Sequence, residues 1–467
     1  MRVNKDALAT NKKKAQDWLT LLATYDHYYA PRSRVETIAS QHRQGRPCRV
    51  VQRIRGAFNY CFRIRFDEGD DEWVLRFPVP GDTMNAMRKV QNEAAVMRFL
   101  KDNTTIPVPE LITSGVAHGE FEGLGPYIIM NFVDGVSLDD VLLEGDSSLK
   151  KDIPDPVLET IYRQIANIYL QLFQLDFSKI GSLSVVEEAG MGRRWHVTSG
   201  PVTFKMNEIE RMGGVRVGAS DGPFDSATDY FHTLAEQSLS HLLDNPLASR
   251  DEQEARDDYR SIHILRTLAE RFASNDTGHY KLFCDDLRFG NILVDRSNRI
   301  LAVLDWEFSY AAPASFLYSP PSWLIGSEPF EWKDEDVRIY KGKVEIFLRL
   351  LEEEEDCCGL GRTLSSLMRE SMRDGTFWYN LAIRESFPLA DLMEHCLDAE
   401  PFSEVAPPDD LETFGRRKMA RRQEYEEHKS LKQQRQQKQI AEVNNKTPGR
   451  ASLVARVAAI GVCSQSF

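Results

Sequence analysis

The sequence predicts an α+β protein of two lobes: a small antiparallel β-sheet lobe with one main helix, then a larger, mainly helical lobe. Three observations predict it. Between Arg49 and Phe77 apolar residues recur at every second position, the period of a half-buried strand. Beyond Gly135 they recur at helical spacing, as in Leu158, Ile161, Ile165, Ile168, Leu172 and Phe173, which form one apolar stripe. From Lys281 to Glu307 two short apolar strands flank a polar loop carrying Asp285, Asp286, Arg288 and Asn291, and the second strand ends on Asp305. Three carboxylates and an amide therefore converge at strand ends.

Taken in order, residues 6 to 29 predict a helix (Leu8, Ala15, Trp18, Leu19, Leu22 and Tyr25), and Val35 to His42 a second short one. Both read as an N-terminal cap packed on whatever follows. Val51 and Ile54, then Phe62, Ile64 and Phe66, define two strands joined by the RGAFN hairpin loop, and Glu72 to Phe77 is a third. A helix follows from about Thr83 to Asp102, with Met87, Val90, Ala94, Met97 and Leu100 on one face and Glu93 beside it, stopped by Asn103 and the prolines at 107 and 109. Strands at Glu110 to Ser114 and Tyr127 to Phe132 complete the small lobe, which closes at the turn pair Asp134-Gly135. Helices are predicted at Ser137 to Leu143, Val157 to Leu175, Asp225 to Leu243, Asp251 to Ala273, Glu335 to Glu353, Arg362 to Asp374 and Ala390 to His395, with small hairpins between Gly181 and Val215. The expected organisation is an N-terminal extension (1–48), a small sheet lobe (49–135), a large helical lobe (136–407) and a charged, flexible tail (408–467). Residues 416 to 450 carry eleven Lys or Arg against four Glu, the composition of a solvated segment.

Bulk properties narrow the class. A chain of 467 residues accommodates a sizeable core, and 42% hydrophobic with 28% charged residues is ordinary for a globular protein. A net charge of −13 argues against a general nucleic-acid binder. Seven scattered cysteines without C-x-x-C spacing predict reduced thiols in an intracellular protein. The polar N-terminus has no apolar core of a secretory signal, and the best apolar run, Leu453 to Val462, is interrupted by Arg456 and falls well short of the roughly 20 residues of a membrane span. A soluble, cytoplasmic protein is the expectation.

The chemistry is legible in the loop. The arrangement suits metal-phosphate chemistry, since magnesium takes one or two carboxylates and leaves its other positions to water and phosphate oxygens. An Asp followed five residues later by Asn, then a hairpin and another Asp, resembles the order in which kinase-like enzymes place a catalytic base and two magnesium ligands. The alternative is a loop whose Asp and Asn make turn hydrogen bonds. The five-residue step to Asn291 selects Asp286 as the base, with its neighbour Asp285 the other candidate.

With these residues in hand, the chain from about Arg49 to Tyr310 resembles the aminoglycoside phosphotransferase and choline kinase-like branch of the protein kinase-like fold. In that branch H-G-D-x-x-x-x-N is followed by D-W-E or D-F-E; here the letters are Cys284, Asp285, Asp286 and Asn291, then Asp305, Trp306 and Glu307. The resemblance implies ATP and magnesium as cofactors, Asp286 as base, Arg288 as a cation for the transferring phosphoryl group, and Asn291 and Asp305 as metal ligands. It further implies Arg76 on the α- and β-phosphates, paired with Glu93; Gly56 and Asn59 in the phosphate loop; and the connector with Met130 and Phe132 against the adenine. Three letters depart from the pattern, with Cys284 standing for His, Asp285 for Gly and Arg76 for Lys, and the RGAFNY loop has one glycine. Cys284 reads as a packing residue and Glu307 as a structural one. The implied function is transfer of the γ-phosphoryl group of ATP to a hydroxyl of a small molecule. The alternative is a nucleotide-binding pseudokinase or scaffold. A protein kinase proper fits less well, because no A-P-E segment follows Asp305. The phosphate acceptor is not legible.

Overall fold

Two N-terminal helices, α1 (Lys5–Tyr28) and α2 (Arg34–Gln41), precede the first strand. They belong to a computed structural model that describes residues 3–28, 33–69, 71–145, 147–188, 192–218, 222–274, 278–387 and 389–446. A capping box starts α2: Glu36 N donates to Ser33 Oγ at 3.2 Å and Ser33 N to Glu36 Oε2 at 3.1 Å, so two helix-start amides are satisfied. The period-two segments then form β1 (Cys48–Arg55), β2 (Asn59–Phe66) and β3 (Glu72–Pro78). After α3 (Ala86–Asn103) come β4 (Leu111–Val116) and β5 (Pro126–Asn131). These give one five-stranded sheet of order β1-β2-β3-β5-β4 with every pair antiparallel.

Strand alternation divides the side chains of β3 between the two faces of the sheet. Trp73, Leu75 and Phe77 of β3 join Phe62, Ile64, Phe66 and Ile129 on one face, where Trp18 and Leu22 of α1 and Val35 and Ile38 of α2 cover them. Val74 and Arg76 therefore turn to the opposite face, towards the cleft. The first helices thus cap the sheet and leave its other side to α3 and the site.

The large lobe begins with β6 (Val136–Ser137), α4 (Leu138–Leu142) and α5 (Asp155–Phe173). The section from Gly181 to Val215 holds a hairpin, β7 (Ser182–Glu188) and β8 (Gly192–Ser199), then α6 (Phe204–Glu208) running into a π-turn at Ile209–Gly213. After α7 (Ala227–Asp244), the single helix expected over 251–273 is two, α8 (Glu252–Thr267) and α9 (Ala269–Ala273), because Leu268 leaves helical geometry at φ −88°, ψ 1°. Next come β9 (Lys281–Cys284), β10 (Ile292–Val294), β11 (Ile300–Val303), β12 (Ser309–Ala312) and α10 (Ala314–Leu317). The chain continues into α11 (Asp334–Cys358), α12 (Thr363–Asp374), α13 (Thr376–Arg384), α14 (Leu389–Met393) and α15 (Leu411–Lys446). The sequence reading missed α13. It is a nine-residue helix whose Phe377, Tyr379, Ala382 and Ile383 are all fully buried, and two core clusters share it.

The tail is helical where it is described. Its first turns dock as α15 on α8: Phe414 stacks on Tyr259 with centroids 4.0 Å apart, and the buried Lys418 donates to the Asn245 carbonyl at 2.7 Å. From Gln423 onward its described side chains are mostly exposed. The 453–462 run lies outside the described residues, and among those described no helix is long and apolar enough to cross a membrane.

Candidate active site

The β10–β11 hairpin builds the polar centre. Ile292 pairs with Val303, so Asn291, just before β10, and Asp305, just after β11, come to the same end of the hairpin. Leu304 N donates to the Asn291 carbonyl at 2.7 Å and locks that register. Asp305 sits at φ 56°, ψ 55°, a left-handed conformation that costs energy for a residue with a Cβ. The Cys284 thiol of the adjacent strand reaches the Asp305 carbonyl at 3.8 Å, and burial pushes that thiol well above its ordinary value. A buried, protonated thiol against a backbone carbonyl is a support, not a nucleophile.

The two adjacent carboxylates face different ways. Asp286 lines the cleft with its side chain 16% exposed. Arg288 Nε donates to Asp286 Oδ1 at 3.0 Å, while Asn291 Nδ2 donates to the Asp286 carbonyl at 2.7 Å and to Oδ2 at 3.3 Å. Burial raises Asp286 to about 7 against the pull of Arg288, the range in which a carboxylate works as a base near neutral pH. Asp285 turns into the large lobe. Its oxygens accept from Phe204 N at 3.2 Å and Tyr310 OH at 3.4 Å, and Arg384 lies 3.5 Å away. Asp285 is a structural anchor that fixes the start of α6.

From the small lobe, Arg76 makes two ion pairs, one to Glu93 of α3 and one to Asp305. Arg76 and Glu93 are 4% and 2% exposed. Burial pushes the Glu93 carboxyl up while Arg76 pulls it down. The planar guanidinium uses separate nitrogens for its two partners, which a lysine ammonium does with less geometric constraint.

These groups surround a cavity of about 800 Å³ between the lobes. Gly56, Asn59, Arg76, Glu93, Met130, Phe132, Asp286, Arg288 and Asp305 all line it; Asn291 lies behind Asp286, buried. Phe132 is fixed at the rim by its amide on the Glu72 carbonyl at 2.8 Å and by the Arg63 guanidinium 3.7 Å over its ring. The Gly56 amide donates to the Asn59 carbonyl at 2.9 Å within the hairpin turn.

Sequence reasoning missed part of this wall. Phe204, Glu208 and Arg211 come from α6 and the π-turn, and Glu328 from the loop before α11. No spacing linked them to the loop at 285–291. It also missed Lys89, which is buried beside Glu307 at 2.7 Å. Burial opposes ionisation of Glu307, but the Lys89 and Arg76 charges win and hold its carboxyl below the usual range. The available signal was position: Lys89 stands one helical turn before Glu93 on α3.

A five-stranded antiparallel sheet with one main helix, set over a helical lobe with acidic groups at hairpin ends, is the two-lobed architecture of kinase-like phosphotransferases. The chain belongs to the phosphotransferase enzyme family, which matches residues 50–316. It is 25% identical over 274 residues to clavilactone A biosynthesis cluster protein Y of Ampulloclitocybe clavipes, over 57% of this chain and 62% of that one. It is 25% identical over 219 residues to altered inheritance of mitochondria protein 9, mitochondrial, of Komagataella phaffii, over 41% and 34% of the two chains. The chain thus spans less than two thirds of either relative. Among solved structures, an aminoglycoside phosphotransferase in ternary complex with AMP-PNP and hygromycin B is 15% identical, with TM-score 0.41, covering 75% of this chain and 96% of that one. Plasmodium vivax ethanolamine kinase is 12% identical, with TM-score 0.42, covering 88% and 94%.

Proposed function

We propose that this protein transfers the γ-phosphoryl group of ATP to a hydroxyl, or a similar group, of a small molecule. The observation that carries the reading is the convergence of Asp286, Arg288, Asp305 and the Arg76–Glu93 pair on one cavity between the lobes, in a chain of the phosphotransferase family. Asp286 would orient the acceptor hydroxyl and hold its proton at Oδ1 or Oδ2. Arg76, held by Glu93, would bind the nucleotide phosphates, and Arg288 the phosphoryl group in transfer. The connector at Met130 and Phe132 would take the adenine.

The donor set fits magnesium. Among the described residues no three His, Cys, Asp or Glu side chains cluster to chelate an ion alone, and a nucleotide-bound magnesium asks only one or two protein ligands. Asn291 spends its amide nitrogen on Asp286, which leaves its oxygen as a ligand, and the Asp305 side chain is 34% exposed at the cleft. Held by Asn291 and Asp305, a magnesium ion would supply charge neutralisation at the nucleotide phosphates. Phe204, Glu208, Arg211 and Glu328 line the same cavity and are available to an acceptor.

One observation favours the second reading, a nucleotide-binding scaffold: Arg76 pairs directly with Asp305, so the phosphate cation and the metal ligand neutralise each other. Titration of the purified protein with ATP and magnesium, followed by ADP release over a panel of hydroxylated acceptors, separates the two. Thermal stabilisation with turnover supports the transferase; stabilisation with no turnover on any acceptor supports the scaffold.

A further inference from the structure

The hairpin that faces the nucleotide phosphates has one glycine, so its shape must be imposed from outside. The β1–β2 turn is held by α3. The Lys89 ammonium has three N–H donors and three acceptors within reach: Glu307 Oε2 at 2.7 Å, Asn59 Oδ1 at 3.2 Å and Thr83 Oγ1 at 3.3 Å. Thr83 in turn donates to the Phe58 carbonyl at 3.1 Å, and Asn59 Nδ2 donates to Glu307 Oε2 at 2.7 Å. All four polar side chains are under a tenth exposed. Around them Phe58, Phe204 and Phe308 meet edge to face at 5.5 to 5.7 Å, and the Lys89 nitrogen lies 5.6 and 5.4 Å from the Phe58 and Phe308 ring centres.

We propose that Lys89 is a positioning residue: it clasps the phosphate hairpin, through Asn59 and Thr83, to the segment carrying Asp305, through Glu307. The proposal rests on the phosphotransferase reading and adds to it how this chain holds a phosphate loop that has a single glycine. Glu307 lies two residues after Asp305, so the clasp fixes the distance between hairpin amides and metal ligand. That distance matters, because a displacement of about 1 Å at a reacting centre costs on the order of a hundredfold in rate. A buried ion pair adds little to stability over an apolar replacement of the same shape, so the value of this one lies in the geometry it fixes.

The test is the dissociation constant of ATP with magnesium, measured by calorimetry on the full chain, alongside the melting temperature. Lys89→Met is expected to weaken binding roughly tenfold or more, and the milder Thr83→Val roughly threefold with melting near wild type. The double variant Lys89→Met, Glu307→Gln removes the unpaired buried carboxylate. It is expected to regain melting temperature while binding stays weak, whereas a role limited to packing restores both together. Joint recovery overturns the clasp. Wild-type affinity in Lys89→Met and Thr83→Val overturns it and leaves the phosphotransferase reading standing. Should Lys89→Met fail to fold, Thr83→Val alone decides. Absence of any ATP–magnesium binding by the wild-type protein overturns both.

Discussion

Adjacent carboxylates at 285 and 286 should give opposite phenotypes when truncated. Asp286→Ala removes the proposed base and a contact to Arg288, whose side chain is 49% exposed; an ion pair that open to solvent contributes about 0–1 kcal/mol. The 2.7 Å bond from Asn291 goes to the Asp286 backbone carbonyl and survives the change, so Asn291 keeps its place. Melting should move by a few degrees at most, while turnover falls by roughly 10² to 10⁴, about 3–5 kcal/mol on the barrier. Asp285→Ala does the reverse. It leaves Phe204 N and Arg384 without their carboxylate, and loss of one partner of a buried charged contact costs about 3–5 kcal/mol. At a few degrees per kcal/mol, melting should fall by roughly ten degrees, with turnover of the folded fraction reduced far less than in Asp286→Ala. Differential scanning fluorimetry and ADP release on the acceptor found by screening read the two effects separately. Near-wild-type turnover in Asp286→Ala removes it from the role, and abolished turnover with unchanged melting in Asp285→Ala transfers the role to its neighbour.

Arg76→Lys keeps the charge but gives up the fork that reaches Glu93 and Asp305 together, so KM for ATP should rise roughly tenfold with a smaller change in kcat; an unchanged KM would take Arg76 off the phosphates. Lys205 donates to the Ile383 carbonyl at 2.7 Å, and burial lowers it to about 7. The folded chain therefore binds fewer protons than the unfolded one between about pH 7 and the ordinary lysine value, and stability should rise with pH across that window. Lys205→Met should flatten this slope in denaturant titrations at pH 7 and pH 9, and an equal slope in both proteins would refute the assignment. Phe414→Ala removes the stack on Tyr259 and should cost about 3–5 kcal/mol in chemical denaturation; a cost below about 1 kcal/mol would mean that the tail helix is not docked in solution.

Local patterns carried far into this fold. Period-two alternation found β1, β2 and β3, and the apolar stripe found α5, because each depends on near neighbours in sequence. Asp286 and Asn291 were legible together because a short spacing ties them, and of the two Asp286 lines the cleft. The long tail helix was not. Its composition reads as solvated, and the decisive contacts are those of Phe414 with Tyr259 and Lys418 with Asn245, partners that lie far back in the chain on α8 and at the end of α7.

By itself the sequence determined the two-lobed α+β architecture, the loop from Cys284 to Asn291 and the acid at 305. Each rests on periodicity or on spacing within one hairpin. Tertiary structure alone decided the rest. Alternation made Val74 and Arg76 share a face, but only the cap of α1 and α2 on the other side of the sheet made theirs the cleft face. Asp285 and Asp286 are chemically identical neighbours, and only the backbone path from β9 sends one to Phe204 and Arg384 and the other to the cavity. Lys89 is one of many lysines until α3 carries it to Glu307, Asn59 and Thr83. A buried charge finds its partners through space, and sequence distance does not encode them.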